Sequence, residues 1–516
     1  MRHRLCVCLG LFLAAACWTV PAAAQEVSLT SQVIERTLPN GLKVLMVRRP
    51  EAPLIRCILA YRVGAVNEPP GITGISHFHE HMMFKGTYSM GIKPGTLQKD
   101  LEFDRQIDAL AAQIAAEEAR VKGRDDAKIV EWKQRMSDLL TRQKAETIVS
   151  EEIWGAYQEA GGTGLNASTG SEMTQYYVTL PKNKIELYLA LEADRMANPV
   201  FREFYSERDV ITEERRMSEN SPGFFFQEQL NATFYAASPY ANPVVGWMSD
   251  ISRVTKQEMI EYREKYYRPD NAVLVLAGDV DEKAVMPLVT KYFGAIRSRG
   301  ASPRVRTEEP SVEYYRRTNG PSFKVPHIEK RVIGRAATTP AVTVMFHIPP
   351  MWHADAPALY MLGRVLGART GKMYLDLVNG KLPHATTVSA SGQAQMYDGA
   401  FRVSATARET PAESTVVPLD TLEQELWMYI DDTKSTPTDA QLLQRVKNSV
   451  EAAYLQSLAG TGIAGTLART EVAYRWQHIE EEYKARMAVM PADLMRVAKA
   501  YLVRENSVTG VLHRER

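Results

Sequence analysis

The run Gly74-Ile75-Ser76-His77-Phe78-His79-Glu80-His81-Met82-Met83-Phe84-Lys85-Gly86-Thr87 sets polar and apolar side chains at helical intervals, and this spacing predicts a helix from about Ile75 to Phe84. His77 and His81 lie four residues apart, ~40° from one another around the axis and one turn along it, so both imidazoles can reach one ion. Glu80 sits on the adjoining face, where it can take a proton from water without itself being a ligand. His79 points ~200° away from the pair and reads as a satisfied or exposed histidine. The flanking Ile75, Phe78, Met82, Met83 and Phe84 argue that much of the helix is buried, where three histidines and a glutamate are costly unless ligated.

A catalytic zinc takes three protein ligands and keeps one position open, so a third must come from elsewhere in the chain. Ser206-Glu207-Arg208-Asp209-Val210-Ile211-Thr212-Glu213-Glu214-Arg215 reads as a helix with Glu207 and Glu214 within ~20° of one another on one face. One carboxylate could bind the ion while the other supports it. By spacing alone, a solvated and salt-bridged helix explains the segment equally well.

Cysteine usage narrows the metal chemistry. Residues 1 to 24 read as a removable secretory signal, with Arg2 and Arg4, the apolar run Leu5 to Val20, and Ala22-Ala23-Ala24 ahead of Gln25. Lipid anchoring at Cys17 fits less well, because Ala14 stands where leucine is preferred. Cleavage after Ala24 removes Cys6, Cys8 and Cys17 and leaves Cys57 alone, which excludes disulfide scaffolds and thiolate zinc sites within one chain. Any metal must therefore be held by histidine and carboxylate. Beyond the leader no stretch reaches the ~18–20 apolar residues of a membrane span, so a periplasmic or secreted protein is expected.

The chain has 516 residues, 45% of them apolar and 24% charged, which suits two to four packed domains. Its 62 basic residues nearly balance 61 acidic ones, so no field exists for gripping nucleic acid or an anionic membrane. Val33 to Thr37 and Leu42 to Val47 read as a hairpin turning at Asn40-Gly41, followed by a strand over Leu54 to Val63. A strand around Gln175 to Leu180, helices near Lys184 to Met196 and Ser206 to Asn220, and a strand over Ala272 to Gly278 complete a sheet packed with helices. Residues 97 to 160 read as a helical hairpin insertion. Its stripes are Ile107, Leu110, Ile114 and Val121, then Ile129, Trp132, Met136 and Leu139, and it should pack on its own domain.

Residues 298 to 326, with Pro303, Pro310, Pro321 and Pro326, read as a linker between a domain over 25 to 297 and another over 327 to 516. Tyr266-Tyr267-Arg268-Pro269-Asp270-Asn271 is echoed by Tyr501-Leu502-Val503-Arg504-Glu505-Asn506, each ending a helix and starting a strand. The remaining histidines, His327, His347, His353, His384, His478 and His513, lack ligand spacing and default to structural roles. Neither a phosphate loop nor a G-x-S-x-G elbow is present, which removes nucleotide and serine chemistry from consideration.

The order H-x-x-E-H over His77 to His81 is the inverzincin signature. The run from Gly74 to Thr87 resembles the zinc-site helix of the pitrilysin, insulinase and mitochondrial processing peptidase family. Asn166-Ala167-Ser168-Thr169, Asn198-Pro199-Val200-Phe201, and Glu207-Arg208 with Glu214 follow in that family's order. The resemblance implies an α+β fold of two homologous metallohydrolase-like halves closing like a clam, the second half inactive. It implies one zinc per chain held by His77, His81 and Glu214, with Glu80 as general base and Glu207 supporting the site. It further implies that Asn166 and Ala167 lie on an edge strand where an extended substrate pairs by its backbone. The implied activity is endopeptidase hydrolysis of short or unstructured polypeptides through a zinc-activated water.

Two departures stand out. The distance from His81 to Glu214 is longer than the family's, and the hairpin at 97 to 160 accounts for the excess. In the second half, the positions where the family carries a substrate-clamping Arg and Tyr are Val378 and Thr386. A catalytic subunit that needs a partner chain to supply that clamp, as a homodimer or heterodimer, is therefore an alternative, and a non-catalytic scaffold subunit is a further one.

Overall fold

In a computed structural model that describes residues 28–515, apart from 299, 301–304, 306–307, 321–323, 325–327, 382 and 411–414, the apolar runs of the first half form one six-stranded sheet. Its strands are β1 (Val33–Thr37), β2 (Lys43–Arg48), β3 (Leu54–Tyr61), β4 (Thr163–Thr169), β5 (Thr174–Pro181) and β6 (Ala272–Gly278), in the order β1-β2-β6-β3-β5-β4. The leader, Cys6, Cys8, Cys17, His327 and three of the linker prolines (Pro303, Pro321 and Pro326) lie outside the described residues. Alternation sends Val44, Met46, Cys57, Leu59, Leu274 and Leu276 into the main core, and Leu45, Val47, Ile58, Ala60, Val273 and Val275 to the opposite face, which is also buried.

The second half repeats this pattern. Strands β7 (Lys330–Ala336), β8 (Ala341–Ile348), β9 (Ala385–Ala394) and β10 (Gly399–Ala407) precede a two-residue ladder of β11 (Glu409–Thr410) with β12 (Thr415–Val416), and β13 (Ser507–Arg514) closes the chain. The second sheet runs β7-β13-β8-β10-β9. In each half the last strand enters the centre of the sheet, parallel to one neighbour and antiparallel to the other. The sequence echo has a physical basis in paired hydrogen bonds. Asn271 Nδ2 donates to Tyr266 O at 2.9 Å and Arg62 O at 3.2 Å, and Asn506 Nδ2 donates to Tyr501 O at 2.9 Å and His347 O at 2.7 Å. The two asparagines thus tie the helix before the last strand to the strand beside it in the same way.

Each half also lends a helix to the other's sheet. The helix Ile463–Ala473 lays Ile463, Ala464, Leu467, Ala468 and Val472 on the outer face of the first sheet. In return, a helix at Phe224–Phe234 places Leu230 and Phe234 against Val332, Met345, Ala400 and Val508 of the second. The stretch read as a linker contains a helix, Val312–Asn319. Just before it, the buried Glu309 carboxylate accepts the backbone amides of Ala236, Ala237 and Ser238.

Three local expectations are corrected. The first hairpin turns through Leu38 to Gly41, and of Asn40 and Gly41 only the glycine has positive φ, at 89°; the loop is longer than a two-residue turn, so Asn40 stays in ordinary backbone space. Residues 97 to 160 fold into three helices, α2 (Leu97–Glu118), α3 (Asp126–Glu146) and α4 (Glu152–Glu159), which follow α1 (Ile75–Met82) and precede α5 (Ile185–Ala197). Within them Val121 is 97% exposed and belongs to no stripe, because α2 ends at Glu118 and the chain is already turning. As expected, the hairpin packs on its own half, where Phe103 and Ile107 join the core. A fully buried ion pair, Arg202 Nε to Asp100 Oδ2 at 2.6 Å, fastens its base, and Gln143 and Thr147 hold the other Asp100 oxygen. Among the described residues no helix is long and apolar enough to cross a membrane.

Candidate metal centre

Helix α1 begins at a point that only glycine tolerates. Gly74 has φ +86°, and a Cβ there would meet Val245 O at 2.2 Å. With no side chain on Gly74 to cap the helix, the buried Glu68 does so from outside, its two oxygens accepting Gly74 N–H at 2.7 Å and Ser76 N–H at 2.8 Å. The apolar side of α1 faces the core through Ile75, Phe78 and Met82. Phe78 stacks on Phe204, the first residue of α6 (Phe204–Glu219), with ring centroids 4.7 Å apart. That contact brings together two helices more than a hundred residues apart in sequence, each presenting its polar face to the same opening.

Across this opening, His77 Nε2 and His81 Nε2 each lie 3.8 Å from Glu214 Oε2. Among the described residues, these three side chains form the group able to share an ion, their donor atoms all within 4.8 Å of one another. A tetrahedral zinc with bonds of ~2.0–2.2 Å separates its ligand atoms by ~3.3–3.6 Å, so each histidine-to-Glu214 spacing needs only a few tenths of an ångström of closure. Two imidazoles and one carboxylate, with room for a fourth donor, fit zinc.

The surrounding groups prepare these donors. Burial, reinforced by the neighbouring His81, pushes the His77 imidazole down to about 4, which leaves it neutral. Burial acts on His81 in the same direction, but its bond to Glu207 and the Glu214, Glu207 and Glu80 charges carry it above the usual histidine range. His81 Nδ1 lies 2.9 Å from Glu207 Oε1. A proton on Nδ1, donated to that carboxylate, leaves the Nε2 lone pair for the metal. Glu207 is itself pushed up by burial, yet His81 and Lys85, whose Nζ is 2.6 Å from Oε2, hold it below the ordinary glutamate range. The structure therefore brings both glutamates of α6 to the histidines, and the solvated-helix alternative does not describe them.

Glu80 reaches the same opening and is not part of the donor group. Thr169 Oγ1, at the end of β4, donates to its Oε2 at 2.6 Å. Burial raises the Glu80 carboxyl, opposed by that bond and by His81. Asn166 and Ala167 lie on β4, which is an edge of the sheet, paired with Tyr177 and Tyr176 of β5. Ala167 N–H is held by Asn166 Oδ1 at 2.9 Å.

His79 departs from expectation. It is neither exposed nor hydrogen-bonded; its ring stacks on Tyr267 at 3.6 Å and both nitrogens are buried without a partner, because the far side of α1 faces the core. Val378 sits in the core of the second half and Thr386 is exposed on β9. The helix Ala356–Leu366, which follows β8 as α1 follows β3, contains no histidine and no carboxylate. Thr169, Glu68 and Lys85 were not identifiable as site residues, since their roles come from contacts across the fold and not from any local pattern.

Residues 43–116 and 140–246 match the family model described as insulinase (peptidase family M16), and residues 253–450 match the one described as the peptidase M16 inactive domain. Zinc protease PqqE of Helicobacter pylori is 26% identical over 485 residues, covering 92% of this chain and 91% of that protein. The crystal structure of a protease from Helicobacter pylori has the same fold, with a TM-score of 0.73 at 22% identity over 93% of this chain and 99% of that one. The periplasmic protease PqqL from Escherichia coli superposes with a TM-score of 0.66 at 14% identity; 93% of this chain corresponds to 47% of that longer one.

Proposed function

The chain belongs to the insulinase, or M16, peptidase family, and on that premise we propose that it is a zinc-dependent endopeptidase acting on short or unstructured polypeptides. The observation that carries the proposal is the convergence of His77, His81 and Glu214 donors, within 4.8 Å of one another, beside an uncoordinated and buried Glu80. Bound there by these three residues, zinc supplies a Lewis acid and makes water acidic enough to ionise near pH 7. Glu80 accepts the proton of the attacking water and returns it to the leaving amine. Thr169 holds Glu80 of α1 in place from the edge strand, so the strand that aligns the substrate also positions the base. On β4, Asn166 and Ala167 offer backbone to an extended peptide, which displaces the Asn166 side chain from the Ala167 amide as it binds.

The leader-like residues 1 to 24 support export to the periplasm or beyond. We further assign residues 25–297 as the metal-bearing domain and 327–516 as its inactive homologue, with 298–326 between them. A second reading, a catalytic subunit that pairs with a copy of itself or a related chain, is favoured by Val378 and Thr386 at the clamp positions and by the match of this chain to about half of PqqL. The deciding experiment compares wild type and Glu80→Gln on a fluorogenic unfolded peptide, with zinc content measured on both. Loss of cleavage with zinc retained is expected; equal rates remove Glu80 from the mechanism, and robust turnover by the purified chain as a monomer removes the second reading.

A further inference from the structure

Between the helical hairpin and α6 lies a cavity of about 1090 Å³, larger than the ~300–1,000 Å³ of ordinary small-molecule sites. Its floor is apolar, built from Ile114 on α2 and Met136 and Leu140 on α3. Its rim is basic, with Arg124, Lys133, Lys144, Arg208, Arg216 and Arg253 facing three acids, Glu118, Glu203 and Asp209. Most of these cations are already paired: Lys133 with Glu118 at 2.7 Å, Lys144 with Glu203 at 3.6 Å, Arg124 with Asp126 and Arg216 with Glu213. Arg208 leans over the Tyr205 ring and, like Arg253, meets no carboxylate within ion-pair distance among the described residues.

At ~100° per residue, Asp209, Thr212 and Arg216 stand nearly half a turn around α6 from Glu207 and Glu214, so a single helix separates this groove from the metal centre. A line of alternating charges joins them. Lys144 lies 3.6 Å from Glu203, Glu203 3.9 Å from Lys85, Lys85 2.6 Å from Glu207, and Glu207 2.9 Å from His81. The opposite wall is this chain's own: Glu118, Arg124, Lys133 and Met136 fall in the stretch that the insulinase family model leaves unmatched.

We propose that this groove holds an acidic, amphipathic stretch of a polypeptide, with carboxylates on Arg208 and Arg253 and an apolar face on Ile114, Met136 and Leu140, while another stretch of the same polypeptide is cut at the metal centre. The cutting rests on the peptidase reading; the seating of the acidic stretch does not. A basic rim alone suits any polyanion, but an apolar floor and cations mostly neutralised by their own partners select a peptide carrying few carboxylates over nucleic acid.

The test titrates the full chain carrying Glu80→Gln, which leaves the probe intact, into a short fluorescein-labelled helical peptide with glutamates on one face and leucines on the other, read by fluorescence anisotropy. Saturable binding that weakens with salt is expected. Affinity should fall at least tenfold with Arg208→Glu combined with Arg253→Glu, and several-fold with Ser137→Glu, an exposed position on the opposite wall that leaves the α6 packing untouched. His77→Ala should leave affinity unchanged; its loss there would place the probe at the metal centre and overturn the proposal. Equal binding of a lysine-faced peptide or a single-stranded DNA probe, or unchanged affinity in both groove variants, also overturns it. A chain that binds the probe as expected but cleaves no peptide keeps the groove and removes the peptidase reading.

Discussion

Replacing Glu207 by alanine removes at once the acceptor for His81 Nδ1 at 2.9 Å and the partner of Lys85 Nζ at 2.6 Å. The Glu207 side chain is only 11% exposed, so water cannot readily take over either role. Hydrogen bonds to charged groups in such surroundings contribute ~1.5–3 kcal/mol. The bond to His81 is also what directs its Nε2 towards Glu214, so this energy should appear as zinc affinity. That corresponds to a loss of ~10- to 150-fold, in line with the ~10–100-fold seen when groups supporting metal ligands are removed. Glu207→Gln keeps an oxygen for His81 but not a charge for Lys85, and is expected near the lower limit. Zinc affinity would be measured by competition with a chromophoric chelator, with circular dichroism to verify the fold, and kcat/KM at saturating zinc. The expected pattern is weakened binding with activity largely restored by excess zinc. Zinc affinity within twofold of wild type in the alanine variant would refute the supporting role, and a loss of activity that excess zinc does not restore would move Glu207 from positioning the metal to the chemistry itself.

Thr169→Val removes the 2.6 Å bond to Glu80 and is expected to lower kcat about tenfold or more, with KM nearly unchanged; steady-state kinetics showing an unaltered kcat would contradict this. Arg202→Met leaves Asp100 charged and buried without its partner, a change expected to cost ~3–5 kcal/mol and to open the hairpin base first, seen as early proteolysis between α2 and α3; a urea midpoint equal to wild type would count against it. Burial pushes the Glu68 carboxyl up to about 7, against the pull of the Ser76 and Gly74 amides and with Asp250 adding to the rise. Because this value exceeds the unfolded one of ~4.3, Glu68 contributes stability that is complete below that value and is lost as the pH rises through about 7. Glu68→Gln should therefore gain on wild type by about 3 kcal/mol between pH 4 and 8, measured by urea unfolding, and a gap that does not change with pH would be the contrary result.

The zinc ligands were legible because their chemistry is local. His77, Glu80 and His81 share one helical turn, and Glu207 and Glu214 share one face of α6, so helix geometry alone aligns each set. Which sets meet was not local, and only the family resemblance joined them; in the structure the joining contact is Phe78 on Phe204. The strand over Thr174–Pro181 follows from period-two patterning, and the one over Ala272–Gly278 from an unbroken apolar run that is buried on both faces. The errors arose where a pattern was extended past its physical cause. Val121 continued an apolar spacing beyond the end of its helix. His79, turned away from the ligand pair, reads as satisfied or exposed, yet the residues flanking it are apolar and the Tyr267 ring covers it. The helix Ile463–Ala473 is amphipathic enough to read as buried, but nothing in it says that its partner is a sheet from the other half.

That exchange of helices sets the order in which the protein can be made. A ribosome that has just completed Gly278 has delivered every strand of the first sheet, yet the face formed by Leu45, Ile58 and Val273 has no cover until Ile463 and Trp476 have been synthesised. At ~5–20 residues per second, the roughly 200 residues between leave that greasy surface waiting for some 10–40 s. A nascent chain in this condition is prone to aggregate and calls for a holding chaperone. A polypeptide cut short before Ile463, however intact its histidines, would inherit the same bare sheet for good.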